Sequence, residues 1–408
     1  MKSNGANKNK FLTAVIWMSL FILAFWVGIH MSGVSTDEEI ERNSSLVTYK
    51  YLVSSVRDVV TDSVDFTNLP ELTDWGDRCY GVAMQLPTVV VEHLFGFQLD
   101  LQTVYRIRHL YTALLFGIAV VFFDRLLQKA GKNWWQRLLG VSLLVICPRI
   151  LTEAFYNIKD IVFLSVFIIN VYFCICFMER RTIGRAFATA VTTALCVNTR
   201  VIGAMVAVFC FAAILIRQIM RKEWKKDVLW LLGTGVLSVG LYVLVTPYLW
   251  SSPVAHLKEI LITFMDFTRY GGHVYYAGSV FPASELPWHY LVGCMMVTLP
   301  LVYLFFAAAG TLYGMIYWRK KCDAERVLLI LLLTPVLYSV WRRPTLYNMW
   351  RHMYFLYPLV VFEAVSGVEI FMAVKRTWVK WLAAGSMGFS LGITSFWMLR
   401  NPSYGYVY

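Results

Sequence analysis

Apolar residues run along this chain in stretches close to the roughly 20 residues that carry a helix across a hydrocarbon core. They fall at about 11–29, 108–127, 137–152, 160–178, 186–199, 201–217, 228–248, 289–317, 327–341, 353–373 and 379–397. Backbone polar groups are satisfied in lipid only by helices or closed barrels, and runs of helix length exclude barrel strands. The pattern therefore predicts an all-α polytopic membrane protein of about eleven transmembrane helices, one membrane domain over 1–408. Pro87, Pro148, Pro247 and Pro358 lie in or beside apolar segments and mark kinks or helix ends. The run from Phe11 to about Ile29 is long for a signal peptide and lacks a small-x-small cleavage site, so it reads as an uncleaved anchor.

The polar positions between these runs are unequal in length and in charge. Lys and Arg near span ends are retained on the cytoplasmic side. With the N-terminus inside, the inner segments are Lys2 to Lys10, Arg125 to Arg137, Arg180 to Arg185, Arg217 to Lys226, Arg319 to Arg326 and Lys375 to Lys380. These short segments hold 22 of the 37 Lys and Arg residues. The opposite face receives the long segments 31–107 and 249–288, shorter turns near 153–160 and 342–352, and all seven histidines. The first outer loop, 31–107, is too long for a plain connector and predicts interfacial helices. One covers 37–60, with Ile40, Leu46, Val47, Tyr49, Leu52 and Val56 as its apolar positions, and another covers Val82 to Leu94.

Composition sharpens this picture. With 58% hydrophobic and 15% charged residues, the chain has too little polar surface to clothe a soluble domain of its size. The net charge of +12 sits in loops between spans, which argues for topology signals and against a nucleic-acid partner. The eight cysteines, most of them inside apolar runs, show neither a disulfide framework nor zinc-ligand spacing.

Candidate chemistry gathers at the outer ends. Asp37-Glu38-Glu39 directly follows the first span, where a carboxylate can take a proton from a hydroxyl or hold a divalent cation beside a phosphate. The plain structural explanation is a solvated acidic loop. The turn Glu153-Ala-Phe-Tyr156-Asn157-Ile-Lys159-Asp160 packs ionisable groups between two spans, a costly arrangement unless they face a wet cavity. Snorkelling by Lys159, with Asp160 as a cap, is the structural alternative. Arg200 stands between two apolar runs, either as a planar fork for a phosphate or as a snorkelling helix end. Arg106, Arg108, Arg351 and His352 are further anion partners, and the aromatic stretch from Tyr270 to Tyr290 offers either sugar-stacking platforms or an interfacial belt.

An acidic group after the first span, two surface helices, a second acidic turn and about eleven spans together resemble the GT-C superfamily of membrane glycosyltransferases. Within it the chain is most similar to the protein O-mannosyltransferase and aminoarabinose transferase group, in its compact bacterial form. The strings Thr36-Asp37-Glu38-Glu39, Ala154-Phe155-Tyr156-Asn157-Ile158-Lys159-Asp160, Glu285-Leu286-Pro287-Trp288-His289-Tyr290 and Tyr347-Asn348-Met349-Trp350-Arg351-His352 carry the likeness. The resemblance implies transfer of a sugar from a polyprenyl- or dolichyl-phosphate donor to a hydroxyl on lipid, glycan or protein. The expected location is the non-cytoplasmic face of a bacterial inner membrane rather than the endoplasmic reticulum, with membrane lipid as surroundings. It implies Asp37 as base, with Glu38 able to trade roles with it, and Asp160 as the second acid, orienting the acceptor or assisting a metal. Arg200 takes the donor phosphate with Lys159 in support. A lipid-linked glycan polymerase or ligase is the nearest alternative, and a transporter or flippase the next. Transporters, however, place polar groups near the midplane and show internal repeats.

Overall fold

The computed structural model describes residues 33–54, 68–96, 100–222, 225–265 and 270–407, so the expected first span, 11–29, lies outside the described residues. Among the described residues the protein is an all-α membrane bundle with one small hairpin. Two helices, α1 (Thr36–Ser54) and α2 (Leu86–Leu94), fall in the first outer loop. The bundle then runs through α3 (Leu101–Lys129), α4 (Trp134–Val145), α5 (Pro148–Tyr156), α6 (Asp160–Glu179), α7 (Ile183–Thr199), α8 (Ala204–Met220) and α9 (Lys225–Leu244). After α10 (Pro253–Met265) comes an antiparallel hairpin, β1 (His273–Tyr276) with β2 (Ser279–Pro282), in which Tyr276 pairs with Ser279. The chain closes with α11 (Tyr290–Thr298), α12 (Leu301–Ile316), α13 (Asp323–Arg342), α14 (Tyr357–Ala373) and α15 (Thr377–Arg400).

Among the described residues seven helical stretches are long and apolar enough to cross a membrane, and the bent pair α4 and α5, counted as one span, makes eight. Two expected spans are broken, each for a visible reason. The run at 137–152 turns by 64° between α4 and α5, where Pro148 has no N–H to continue the ladder and becomes the first residue of the new helix. The run at 289–317 parts at Leu299–Pro300 for the same reason. Helix starts elsewhere follow ordinary capping. Asn133 and Gln136 form a capping box for α4, and Asp100 accepts from the backbone N–H groups of Gln102 and Thr103.

Helix α6 is apolar all round and buried almost throughout, so it forms the axis of the bundle, while α9 and α15 expose apolar flanks at its rim. Gly310 of α12 and Gly367 of α14 bring two backbones into contact. A methyl group on either would strike a carbonyl of the facing helix, that of Glu363 or of Phe306.

Ion pairs sort the connecting segments into two ends. At one end Lys129 meets Glu179 at 2.6 Å, Lys132 meets Glu369 at 2.7 Å, Arg181 meets Asp227 at 2.9 Å, and Arg217 pairs with Asp323. These are the basic segments expected inside. At the other end Arg78 bonds Glu259 at 2.7 Å and the Tyr80 ring meets Phe264 at 5.0 Å, which joins the two long segments expected outside. Gly81 passes so close to Asn198 that only glycine fits, and Asn198 Oδ1 accepts from Ala83 N–H at 3.0 Å.

Candidate active site

At the end where the two long segments meet, α1 opens with Asp37, Glu38 and Glu39 in its first turn, where unpaired N–H groups and the helix dipole favour negative charge. Geometry gives the three acids different occupations. Glu38 is fully buried, accepting from Ser35 N–H at 2.7 Å through one oxygen and meeting His109 Nε2 at 2.7 Å through the other. Glu39 is exposed. Asp37 retains 45% of its side-chain exposure and pairs through Oδ2 with Arg351. Of the two acids expected to trade roles, Asp37 keeps an accessible oxygen and Glu38 is committed to holding the helix start.

The second acidic turn is built around Asn157. Its Oδ1 accepts the backbone N–H of Lys159 at 3.2 Å and of Asp160 at 2.7 Å, closing an Asx turn that starts α6. Its Nδ2 donates to Glu153 at 2.5 Å and to Asp160 Oδ2 at 3.2 Å. Glu153 is held in turn by the Tyr354 hydroxyl at 2.5 Å. The turn thus projects Asp160 toward Arg200 and Lys159 toward α1.

Arg200 reaches Asp160 because α7 stops at Thr199 and Arg200 takes an extended backbone, φ −152° and ψ 129°. Arg351 lies between the acids, paired with Asp37, its Nε 3.9 Å from Asp160 Oδ2. That Nε has no hydrogen-bond partner among the described residues, nor has Arg200 Nε. Its guanidinium also covers the Tyr347 ring at 5.0 Å, and Tyr270 stacks on Tyr347 at 4.1 Å. His352 meets Tyr347 edge-on at 4.5 Å and faces the charges of Asp160 and Arg200.

The structure therefore brings together Asp37, Arg351, Asp160, Arg200 and Lys159, residues spread over most of the chain, into a ladder of opposed charges. Its last rung is Glu41, which sequence reasoning missed. Glu41 is buried, pairs with Lys159, and accepts from Gln85 Nε2 at 2.6 Å. Burial alone would raise the Glu41 carboxyl, but Lys159 and the Gln85 donor outweigh it and hold it below the ordinary carboxylate value. Burial would likewise depress Lys159, and Glu41 raises it above the ordinary lysine value. The Lys159 ammonium also lies 3.8 Å from the centre of the Tyr80 ring.

A signal for Glu41 was present in the sequence. Glu38, Glu41, Ser45 and Thr48 recur at helical spacing and are all buried, whereas Ile40, expected on the buried side of this helix, is 45% exposed. The polar stripe of α1 faces the protein because its partners, His109, Gln85 and Lys159, come from other elements.

Two expected arginines stand apart from the ladder. Arg106 and Arg108 are two apart on α3 and so point to different faces. Arg106 is exposed, while Arg108 is buried behind α2, donating to Thr88 Oγ1 at 2.8 Å and Gln85 Oε1 at 3.2 Å. In the outer aromatic stretch, Tyr270 joins the site through Tyr347, whereas Tyr276 turns to His289, hydroxyl to Nδ1 at 2.9 Å. Among the described residues no three His, Cys, Asp or Glu side chains converge as metal ligands. Asp37, Glu41 and Asp160 each face a cation of the chain, so this donor set does not fit a divalent ion.

No protein-family model matches this chain, and no curated protein sequence matches it. Among solved structures it is similar to ArnT from Cupriavidus metallidurans in the apo state, with a TM-score of 0.58 at 12% identity. The match covers 97% of this chain and 74% of that one. The two share a fold, the polytopic all-α membrane fold that the resemblance to the GT-C superfamily implies.

Proposed function

We propose that this chain is a GT-C-type glycosyltransferase that moves a sugar from a polyprenyl-phosphate donor to a hydroxyl acceptor on the non-cytoplasmic face. One observation carries the reading. Lys159, Arg200 and Arg351 converge at one rim of the bundle, each held by a carboxylate from another element, and only Asp37 among those carboxylates is half-exposed. Such a rim suits a phosphate at the membrane surface while the prenyl chain stays in lipid. The shared fold with ArnT, an aminoarabinose transferase, supports the same class.

In this mechanism Asp37 accepts the proton of the acceptor hydroxyl as its oxygen bonds to the anomeric carbon. The bond from that carbon to the phosphate oxygen breaks, and polyprenyl phosphate leaves with the electron pair. Displacement from the opposite face inverts the anomeric centre. The leaving group is already anionic and gains charge as the bond breaks, so it needs electrostatic stabilisation rather than a proton. Arg200, Arg351 and Lys159 supply that charge, and the two arginines offer planar forks matched to phosphate oxygens. Asp160, fixed by Asn157, holds the Arg200 guanidinium at the rim beside Arg351.

The test is a reconstitution. Purified protein in liposomes, given a panel of radiolabelled undecaprenyl-phosphate-linked sugars together with lipid, glycan and peptide hydroxyl acceptors, should pass label to an acceptor and release undecaprenyl phosphate in an Asp37-dependent manner. Passage of intact lipid-linked sugar between leaflets, with no release of label from its lipid, would replace the enzyme by a carrier.

A further inference from the structure

Every cation of the ladder is paired with a carboxylate of the chain, so an arriving phosphate has to compete with one of three carboxylates. Their environments differ sharply. Asp160 keeps only 4% of its side-chain exposure and Glu41 only 6%, and removing the partner of either would strand a buried charge. Asp37 keeps 45%, and it stands in the first turn of α1, where water, free N–H groups and the helix dipole remain to stabilise it once released. Arg351 is anchored independently of Asp37, by the Tyr347 ring under its guanidinium and by Asp160 beside its Nε at 3.9 Å, so it stays at the site when Asp37 lets go.

We infer that Arg351 is an exchangeable ligand, pairing with Asp37 in the empty site and with the donor phosphate in the loaded one, so that lipid phosphate binding is what sets Asp37 free. This rests on the functional reading above and deepens it. Asp37 keeps one accessible oxygen throughout, but its carboxylate is relieved of the arginine charge, and so becomes a stronger base, only when a donor is in place, which makes the site ordered by charge: phosphate first, proton transfer second. Asp37 is then a competitor of the phosphate as well as a base.

That double role predicts a gain of affinity from an inactivating substitution. Asp37→Asn and Asp37→Ala should each bind undecaprenyl phosphate about fivefold more tightly than the native protein. That factor corresponds to about 1 kcal/mol, the scale of a half-exposed ion pair, at 1.4 kcal/mol per tenfold. Glu39→Gln removes an equal charge from the same helical turn without touching Arg351, and should change affinity by less than about twofold. In an Arg351→Ala background the Asp37 effect should vanish. Affinity is measured by titrating undecaprenyl phosphate into purified, monodisperse protein in detergent. Unchanged or weaker binding in both Asp37 variants, equal tightening in Glu39→Gln, or tightening that persists without Arg351 each overturns the exchange. Native protein that fails to bind undecaprenyl phosphate at all overturns the underlying functional reading instead.

Discussion

Replacing Glu41 with glutamine tests whether the buried rung of the ladder holds the outer segment to the bundle. The carboxylate uses one oxygen for Lys159 and the other for Gln85 Nε2. Gln85 has no freedom to turn, because its Oε1 already accepts from Ser45 and Arg108. A glutamine at 41 points an N–H group at one of two donors and leaves the Lys159 charge buried without a counter-ion. Removing one partner of a buried pair costs about 3–5 kcal/mol, and since Lys159 retains 20% exposure the lower end, about 3 kcal/mol, is expected. Glu41→Gln should therefore lower the apparent midpoint of thermal unfolding in detergent by several degrees. Glu41→Gln with Lys159→Met should recover much of the loss, since two apolar-compatible groups replace a charge pair, while leaving transfer impaired for want of a cation. The sign of the pH dependence follows from the two shifts. Glu41 is held below its ordinary value, so its contribution is present above that range and lost as pH falls through the lowered one. Lys159 is held above its ordinary value, so its contribution is lost only as pH rises through the raised one. The deficit of Glu41→Gln is then constant from about pH 5 to about pH 10, begins to shrink below about pH 4, where the unfolded carboxyl takes up a proton that the native one does not, and stops shrinking once pH has fallen through the lowered native value. An unchanged midpoint at pH 7, or a double variant less stable than the single one, would remove Glu41 from the ladder.

Four further outcomes follow from the same geometry. Asp37→Asn should lower transfer by about 10²–10⁴ with folding intact, and near-native turnover in a label-release assay would end the assignment of the base. Arg200→Ala should weaken undecaprenyl phosphate binding about ten- to a hundredfold, with Arg200→Lys recovering part of it, whereas full recovery by lysine would mark Arg200 as a helix anchor. Activity should survive chelation by EDTA, since each carboxylate of the ladder faces a cation of the chain, and loss restored by added Mg²⁺ or Mn²⁺ would refute that reading of the donor set. In a Cys79→Ser background, exposed Cys322 should react with a membrane-impermeant maleimide only after the membrane is opened, while Tyr275→Cys reacts in intact cells. Equal labelling of both would undo the proposed orientation.

Much of the bundle was legible in the sequence because lipid leaves the chain few choices. Apolar length sets where helices run, and the basic segments expected on one side do meet through Arg181, Arg217, Lys129 and Lys132. The breaks were less legible. Pro148 and Pro300 mark them, but a proline does not state its angle, which depends on what the next helix packs against. At the site, Asp37, Lys159, Asp160, Arg200 and Arg351 stood out because a charge at a membrane rim is expensive. Glu41 did not stand out, since an acid within a surface helix looks solvated until a lysine 118 positions away is known to face it. Arg106 and Arg108 were misjudged together, as a periodicity of 3.6 sends neighbours two apart to opposite surroundings.

The contact between Gly310 and Gly367 has a consequence for how damage in this protein would be read. Arg351 opens a 3-10 turn, Arg351–Leu356, that is kinked at Met353 and leads directly into α14, and Gly367 lies ten residues into that helix, roughly 15 Å along its axis. Pinned at Gly367, α14 acts as a lever on the turn built on its end. An alanine at either glycine pushes a methyl group into a carbonyl of the facing helix, and α14 can yield only by tilting. The free arm of the lever carries Arg351 away from Asp37 and Asp160. A methyl group buried deep in the hydrocarbon, touching no charged residue of the ladder, would thus present in an assay as the loss of an active-site arginine.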